Sequence, residues 1–543
     1  MYGAMCQGFG RENALSSLPA NATMPAMKPL AKEGRWLWVA ACAAVVLLYL
    51  GHLSAYFDFT ADDPGITFRY GANLFDGRGL VYNPGEHIEG YSNFGHVVLS
   101  GLIYKCLSLF GDARWGVLFA VKLLNVGFGL ATGYFIYRYA VDIAGRGRVA
   151  GLAPVLLAAA NGALLINIAS PLETAAYIML LTAMMWGLAC YVTGPPERSA
   201  RRAVMLAPLG SAILLWRIDS PMLFAAFVAA LVLLRRGRLQ RSDWWLLGIW
   251  AVVFGAYTVF RFAWFGDLLN NPFYTKVRHR MGLAAPFGSP YVAGFFRLLG
   301  LHALVFVALA TIVVRRSPGV YILPLALVVT QWLYILLVDG DWMAGYRFWA
   351  VVVPALCLVL TGLLDLPVPW IAARPWRLIK VGVVLVVAAV WCSRGLELYR
   401  AVPQEPFRFV RRLGGFSPRN LYPYTATAEW LNRHVSKDAT MAVEEAGYMP
   451  FLTGLAAIDT YGLCNRTLAR VDGHRNRLGL KVTWDPAEPG VRYILSQKPD
   501  IIVVGPVIDW ANAPDRFLGV YRLAASPQAG LNVFRREDST RVH

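Results

Sequence analysis

Long apolar runs recur along this 543-residue chain and constrain its fold more than any other feature. The first run begins at about Trp36 and continues for roughly 20 residues, the length that a helix needs to cross a bilayer. No small-residue cleavage site follows a short apolar core, so we expect this run to remain as an anchor. Hydrophobic residues make up 57% of the chain and charged residues 15%, which excludes an ordinary soluble enzyme. The sequence predicts a polytopic α-helical membrane protein.

Positive charge concentrates in the short connections between the apolar runs. The net charge of +18 therefore reports the orientation of the chain, because cytosolic loops of membrane proteins carry an excess of Lys and Arg. Membrane lipids are the expected neighbours. No nucleic acid partner is expected, because no basic stripe interleaved with aromatic residues lies outside these connections. The clusters are Arg146 and Arg148; Arg198, Arg201 and Arg202; Arg235, Arg236, Arg238 and Arg241; Arg315 and Arg316; Arg374, Arg377 and Lys380.

The segment 93–110 decides the predicted topology. It is short, it is interrupted by His96 and Lys105, and it carries apolar residues at helical spacing, which favours a helix lying on the membrane surface. This assignment gives about eleven spans, an internal N-terminus and an external C-terminus, and it places every basic cluster inside. The alternative, that 93–110 is itself a span, would move the arginine-rich loops outside. The predicted spans cover about 36–56, 115–140, 149–168, 172–193, 203–217, 220–234, 244–265, 290–314, 319–338, 347–365 and 378–397.

Three regions follow from the change in hydropathy along the chain. Residues 1–35 form a disordered cytosolic tail, residues 36–399 form the membrane domain with a first outer loop at 57–114, and residues 400–543 form a soluble α/β domain. A short helix is predicted from Ala428 and strands from Ile501 and Leu531. We expect this last domain to recognise an acceptor. The alternative is a lid that stabilises the outer loops, in which the turn around Asp459, Tyr461 and Gly462 packs on the first loop.

The first outer loop carries the candidate catalytic acids, Asp62 and Asp63. Pro64 and Gly65 follow directly, which predicts that the pair sits on a turn. Transfer of a sugar or phosphoryl group to a hydroxyl needs a general base, and an acidic neighbour raises the pKa of a carboxyl toward the working range. A solvated or helix-capping pair is the alternative. The same turn-rich loop holds further candidate substrate-binding residues: Tyr70, Glu86, Glu89 and Tyr91.

Cations in the predicted outer loops are candidates for binding a phosphate. Arg neutralises a phosphate through two hydrogen bonds without a metal, and outward-facing cations run against the usual charge bias. The alternatives are ion pairing, as between Arg217 and Asp219, and contacts with lipid headgroups. The candidates are Arg69, Arg217, Lys276 and Arg347, with Arg278 and Arg280 next to Lys276.

Isolated carboxylates and aromatic residues lie at the ends of the apolar runs. The carboxylates could bind sugar hydroxyls, pair with arginines or, as Glu173 could, cap a helix. The aromatic residues could stack on a sugar or form the interfacial belt. The carboxylates are Glu173, Asp219, Asp339 and Asp341, and the aromatic residues are Tyr274, Trp342 and Tyr346. The seven cysteines show no disulfide framework or zinc spacing, so no metal site and no cofactor is predicted.

Five motifs in order resemble those of bacterial membrane glycosyltransferases of the GT-C superfamily. They are ADDPGITFRYGANLFDGRGLVYNPGEHIEGYSN (61–93), SPLET, WRIDSP, NPFYTK and DGDWMAGYRF. Within that superfamily the chain is most similar to the mycobacterial-type terminal arabinofuranosyltransferases and related enzymes that use polyprenyl-phosphate sugars. The resemblance covers residues 36–400.

The resemblance implies an inverting transfer, most often of arabinofuranose, from a polyprenyl-phosphate donor on the periplasmic side of the bacterial inner membrane. An Asp of the first loop would be the catalytic base, here Asp62 in preference to Asp63. The acceptor would be a glycan or glycoprotein, and arabinan, lipopolysaccharide and pilin all remain open. Two alternatives are a transporter or flippase, for which Lys122, Arg261 and the Arg217/Asp219 turn intrude on apolar runs, and a non-catalytic scaffold.

Overall fold

Two units make up the structure, a computed structural model: a bundle of apolar helices and a smaller mixed sheet near the C-terminus. It describes residues 32–277, 290–338, 340–341, 343, 345–365, 373–401, 424–471, 484–504, 516–528 and 531–542. The helices of the first unit are α1 (Lys32–Ser54), α2 (Asp63–Phe75), α3 (Phe94–Ser108), α4 (Val117–Arg138), α5 (Ala153–Ala160), α6 (Gly162–Ala169), α7 (Thr174–Thr193), α8 (Ser199–Trp216), α9 (Ser220–Leu234), α10 (Arg241–Phe265), α11 (Pro290–Leu298), α12 (Ala303–Arg316), α13 (Pro318–Val338), α14 (Arg347–Ala350), α15 (Val353–Gly362) and α16 (Ala373–Ala401).

Each predicted span coincides with a helix or with a broken pair of helices, which confirms a polytopic helical membrane protein. Six helices in the described residues are long and apolar enough to cross a membrane, and eight qualify if each bent pair counts as one span. The pairs are α5 with α6, bent by 66°, and α11 with α12, bent by 65°. The first bend falls at Asn161, whose side chain accepts from the Leu164 N–H and starts a new helix. The count of eleven remains a prediction.

A buried lysine holds the start of the first loop in place. Lys122 of α4 donates from Nζ to the carbonyl oxygens of Phe57 at 3.0 Å, Phe59 at 2.6 Å and Ala169 at 2.8 Å. These three bonds satisfy all three N–H donors of the ammonium group. Lys122 therefore has a structural role. They also fasten the segment that leaves α1 to the end of α6, and so fix where the acidic pair begins.

The first loop is more helical than the sequence predicts. Asp63 begins the 13-residue helix α2, with Pro64 in its first turn, so the prediction of a turn at Asp63 is wrong. Proline is favoured in a first turn because its missing N–H would have no partner there. The predicted turns downstream are confirmed at Gly77, Gly79 and Gly85, which all have positive φ.

Helix α3 occupies the segment predicted to lie on the membrane surface. It packs against α2 where Gly71 and Gly101 meet, and a Cβ on Gly101 would lie 2.7 Å from the Gly71 carbonyl oxygen. In its predicted apolar stripe Leu102 and Cys106 are exposed, whereas Phe94 and Val98 are half-buried. Exposed apolar residues on a 15-residue helix suit the predicted interfacial position.

The second unit is a six-stranded sheet with helices, which confirms a C-terminal α/β region. Its elements are α17 (Thr425–His434), β1 (Thr440–Val443), α18 (Tyr448–Thr453), β2 (Ala456–Asp459), α19 (Arg466–Arg470), α20 (Pro489–Ser496), β3 (Ile501–Val504), β4 (Arg516–Phe517), β5 (Tyr521–Gln528) and β6 (Leu531–Arg536). The strand order is β2-β1-β3-β6-β5-β4. Strands β1, β2 and β3 are parallel, and β6, β5 and β4 continue the sheet in antiparallel pairs.

The two faces of this sheet are buried against different partners. Met441, Val443, Ile501 and Val503 belong to a core shared with the first loop, including Tyr70, Tyr82 and Tyr91. Ala442, Ile502 and Val504 belong to a second core with Ile494 of α20. Alternation of side chains along each strand produces this division. The C-terminal domain therefore covers the first loop with one face of its sheet.

Candidate active site

Asp62 and Asp63 lie at the start of α2, where the first loop meets the C-terminal domain. Asp62 occupies the position before the helix, but its side chain makes no capping bond. Instead, Asp62 Oδ2 accepts from the Gly447 N–H at 2.6 Å, and Oδ1 accepts from the Tyr448 N–H at 2.9 Å. Both acids are half-buried. The carboxylate of Asp62 is thus held by a segment nearly 400 residues further along the chain.

The environment of Asp62 moves its pKa toward neutrality. Burial raises the pKa, the two backbone N–H groups lower it, and the charges of Asp63 and Asp459 raise it again, giving a pKa of about 7. A carboxyl group with a pKa near the working pH is suited to accept a proton from a hydroxyl. This is the chemistry that the sequence predicts for Asp62.

The predicted cations Lys276 and Arg347 each pair with a carboxylate. Lys276 Nζ lies 3.3 Å from Asp63 Oδ2, in a pair whose side chains are 35% and 24% exposed. Arg347 donates from Nε to Asp341 Oδ2 at 2.8 Å. The structure thus places Lys276 at the acidic pair and Arg347 beside Asp341.

A chain of hydrogen bonds joins the first loop to two other motifs. Thr67 of α2 donates to Asn93 Oδ1 at 3.1 Å, and Asn93 Nδ2 donates to Glu173 Oε2 at 2.9 Å. Arg217 then donates to Glu173 and, from Nε at 2.7 Å, to Asp219. The structure thus brings together Glu173, Asp219 and Arg217 and bears out the predicted Arg217–Asp219 pair.

Glu173 is a structural anion at this junction. Burial alone would raise its pKa, but the charges of Arg217, Arg347 and His96 and the hydrogen bond from Asn93 outweigh burial and lower the pKa to about 2. Its side chain makes no capping bond to α7, so the capping alternative is not what the structure has. Its negative charge is paired with the guanidinium of Arg217.

The fold is shared with membrane enzymes of known structure. ArnT from Cupriavidus metallidurans, in a crystal structure bound to undecaprenyl phosphate, matches with a TM-score of 0.56 and 13% identity, over 94% of this chain and 99% of that one. Its apo structure gives 0.57 at 13% identity, covering 93% and 98%. The chain has a GT-C-like fold. The arabinofuranosyltransferase AftD from Mycobacteria matches at 0.50 and 15% identity over 94% of this chain but 40% of its own.

Comparison by sequence is less informative than comparison by fold. A family model described as a domain of unknown function (DUF8728) matches residues 418–540, which lie within the C-terminal region. None of the curated proteins matches the chain. The site must therefore be understood from its own geometry within the GT-C-like fold.

Arg69 forms hydrogen bonds on both sides of the junction between the two units. Its guanidinium donates to the carbonyl oxygens of Tyr82 at 2.7 Å, Pro450 at 2.5 Å and Leu455 at 2.8 Å, and to Asn83 Oδ1 at 2.9 Å. Its guanidinium also lies over the Tyr82 ring, 4.5 Å from the ring centroid, in a cation–π interaction. With these partners Arg69 fastens α2 to the C-terminal domain and has a structural role in place of the predicted phosphate contact.

The four other predicted residues of the first loop contact one another or other partners. Tyr70 donates from its hydroxyl to the Ile88 carbonyl oxygen at 2.6 Å, and Tyr91 packs against its ring at 4.9 Å. Glu89 is buried and accepts from Arg261 Nε at 2.9 Å and from Arg261 Nη2 at 2.6 Å. Glu86 is exposed and accepts from Asn83.

Two of the remaining candidates, Tyr274 and Tyr346, are close in sequence to Lys276 and Arg347. Tyr274 donates to Asp267 Oδ1 at 2.9 Å and lies under Arg470 of the C-terminal domain at 4.1 Å. Tyr346 has a φ of 50° just before Arg347 and packs against Tyr291 and Phe295. Trp342, Asp339, Arg278 and Arg280 lie outside the described residues.

Sequence reasoning missed the residues that organise the site. Gly447 and Tyr448 hold Asp62, and Asn93 links α2 to Glu173. The one signal for the former is the acid pair Glu444–Glu445, which follows a short apolar run and precedes Gly447, as at the end of a buried strand. In the described residues no three His, Cys, Asp or Glu side chains are placed to hold a metal ion. The arrangement places Asp62 next to the Lys276–Asp63 ion pair.

Proposed function

We propose that this protein is an inverting glycosyltransferase that moves a sugar, arabinofuranose in the first instance, from a polyprenyl-phosphate donor to a hydroxyl of a periplasmic glycan or glycoprotein. The observation that carries the proposal is the contact of Lys276 with Asp63, next to Asp62, whose carboxylate accepts two backbone hydrogen bonds from the C-terminal domain. The GT-C-like fold, which ArnT adopts in a structure containing undecaprenyl phosphate, supports the same class of donor.

The reaction assigns each group a separate task. Asp62 accepts the proton of the acceptor hydroxyl as its oxygen forms a bond to the anomeric carbon. On the opposite face, the bond between that carbon and the phosphate oxygen breaks, so the anomeric configuration inverts. The bonding electrons stay with the polyprenyl phosphate, whose added negative charge Lys276 and Arg347 stabilise. A single base is sufficient because no covalent sugar–enzyme intermediate forms.

The residues that intrude on the apolar runs have structural partners, which weighs against the transport alternative. Lys122 is saturated by three carbonyl oxygens, Arg261 pairs with Glu89, and Arg217 pairs with Glu173 and Asp219. Transport would need such groups to be available to a substrate or ion.

The test uses the full-length protein in lipid nanodiscs with radiolabelled polyprenyl-phosphate arabinofuranose and a panel of arabinan, lipopolysaccharide and glycoprotein acceptors. We expect label to reach an acceptor and polyprenyl phosphate to be released in equal amount. A parallel panel of pentose and hexose donors assigns the sugar. No transfer from any donor, together with labelled lipid crossing the bilayer of proteoliposomes, would replace this proposal with a flippase.

A further inference from the structure

The segment Glu445–Tyr448 connects β1 of the C-terminal domain to Asp62. Strand β1 ends at Val443, and α18 begins at Tyr448. The N–H groups of Gly447 and Tyr448 donate to the two oxygens of the Asp62 carboxylate, one to each. Each oxygen of the Asp62 carboxylate therefore accepts one hydrogen bond from the backbone of the C-terminal domain.

The backbone at Gly447 lies so close to the backbone at Asp62 that only glycine fits at position 447. A Cβ on Gly447 would lie 1.8 Å from the Asp62 carbonyl oxygen and 2.6 Å from its Oδ2, and a Cβ on Gly65 would lie 2.2 Å from the Gly447 carbonyl carbon. Distances this short exclude any side chain at either position without movement of the backbone. Glycine permits the close approach of one backbone to another.

The segment is fixed on both sides of this contact. Tyr82 of the first loop donates from its hydroxyl to the Ala446 carbonyl oxygen at 2.6 Å. The Tyr448 hydroxyl lies 3.0 Å from Thr60 Oγ1, just before the acidic pair. These contacts leave the two N–H groups little freedom to turn away from Asp62.

The titratable and charged groups around Asp62 are Asp63, Asp459, Glu445 and, through Asp63, Lys276.

We infer that the segment Glu445–Tyr448 of the C-terminal domain completes the catalytic unit, with the N–H groups of Gly447 and Tyr448 positioning the Asp62 carboxylate and stabilising its ionised form. The inference rests on the proposed role of Asp62 as base. It assigns the C-terminal domain a part in the chemistry beyond recognising an acceptor.

The experiment compares the pH dependence of kcat/KM for Gly447→Ala and Tyr82→Phe in the full-length protein. Activity requires ionised Asp62. Loss of the N–H bonds destabilises the ionised form and moves the acid limb to higher pH, by about one unit for one hydrogen bond to a charged group. Tyr82→Phe removes the hydroxyl that fixes the Ala446 carbonyl oxygen and should move the limb in the same direction by a smaller amount. A purely structural role would scale the rates without moving the limb.

Two matched variants serve as controls. Gly248→Ala adds a Cβ with no atom within 4 Å, and Tyr521→Phe removes a hydroxyl that donates to the Pro499 carbonyl oxygen in the other core of the same domain. Neither should move the limb. Should Gly447→Ala fail to fold, Tyr82→Phe decides alone: an upward shift supports the inference and an unchanged limb overturns it.

The inference and the proposed function fail differently. If Asp62→Asn is inactive but both test variants keep the wild-type limb, Asp62 is the base and the C-terminal segment has no part in its ionisation. If Asp62→Asn retains wild-type activity, the base assignment fails and the inference fails with it.

Discussion

Lys276 Nζ lies 3.3 Å from Asp63 Oδ2, although 213 residues separate the two in the chain. The pair joins the segment after α10 to the start of α2 and brings a cation next to the candidate base. The pair is partly exposed, so its contribution to the free energy of unfolding is small. Under the proposed function it holds the Lys276 ammonium group where the donor phosphate binds.

Replacement of the two cations should weaken donor binding and turnover together. For Lys276→Ala and Arg347→Ala we expect a loss of about 1.5–3 kcal/mol, the usual contribution of a hydrogen bond to a charged group. The measurements are donor Kd and kcat/KM. Because Arg347→Ala would leave Asp341 buried and unpaired, Arg347→Lys is included, and Arg433→Ala at an exposed position is the control. Unchanged donor affinity in both alanine variants contradicts the assignment.

Asp62→Asn should abolish transfer without unfolding the protein, because an amide cannot accept the proton. We expect kcat to fall by about 10²-fold or more, whereas Asp63→Asn, which loses only the pair with Lys276, should fall less. Single-turnover rates and thermal unfolding in detergent check both. Residual activity in Asp62→Asn above about a tenth of wild type would rule out a general-base role of the usual size.

The pH dependence of transfer should report the ionisation of Asp62. With a pKa of about 7, the base is protonated and inactive below that pH and ionised above it, so kcat/KM should rise through neutrality and level off at alkaline pH. The profile is measured in the wild-type protein over a range in which thermal unfolding shows it folded. An acid limb centred near pH 4, the value of an ordinary aspartate, would show that the environment does not act on Asp62 in this way.

Arg69 distinguishes a structural role from phosphate binding. Arg69→Met removes donors from buried carbonyl oxygens of the C-terminal domain, and each unsatisfied group costs about 1–3 kcal/mol. We therefore expect a lower Tm with donor Kd unchanged in the protein that remains folded. Arg433→Met is the control. A normal Tm with weakened donor binding would instead support the phosphate-binding role that the sequence suggests for Arg69.

Membrane topology remains to be tested directly. With about eleven spans, reporter fusions at Arg238 and at residue 420 should report cytosolic and periplasmic locations respectively. Both fusions on the same side would end this topology. A labelling experiment on cysteines introduced into α3 would then decide between a surface helix and a span.

Much of the architecture is readable from local sequence. Apolar runs of bilayer length predict helices because every backbone polar group must be satisfied within the segment, and each run corresponds to a helix or a bent pair. The strands beginning at Ile501 and Leu531 are confirmed. The breaks within the runs were not predicted, because hydropathy averages over the single polar residue, such as Asn161, that starts a new helix.

The sequence by itself determined that acids, cations and aromatic residues collect at the ends of membrane helices, since charge is excluded from the bilayer interior. It did not determine which of them act together. Arg69, Glu89 and Asp62 look alike as polar residues of one loop. The first two bind buried partners, whereas Asp62 is half-buried and lies next to the Lys276–Asp63 pair. Only the tertiary structure made that distinction, because burial and hydrogen-bond partners set the ionisation of a side chain, and for Asp62 those partners come from Gly447 and Tyr448, 385 and 386 residues away.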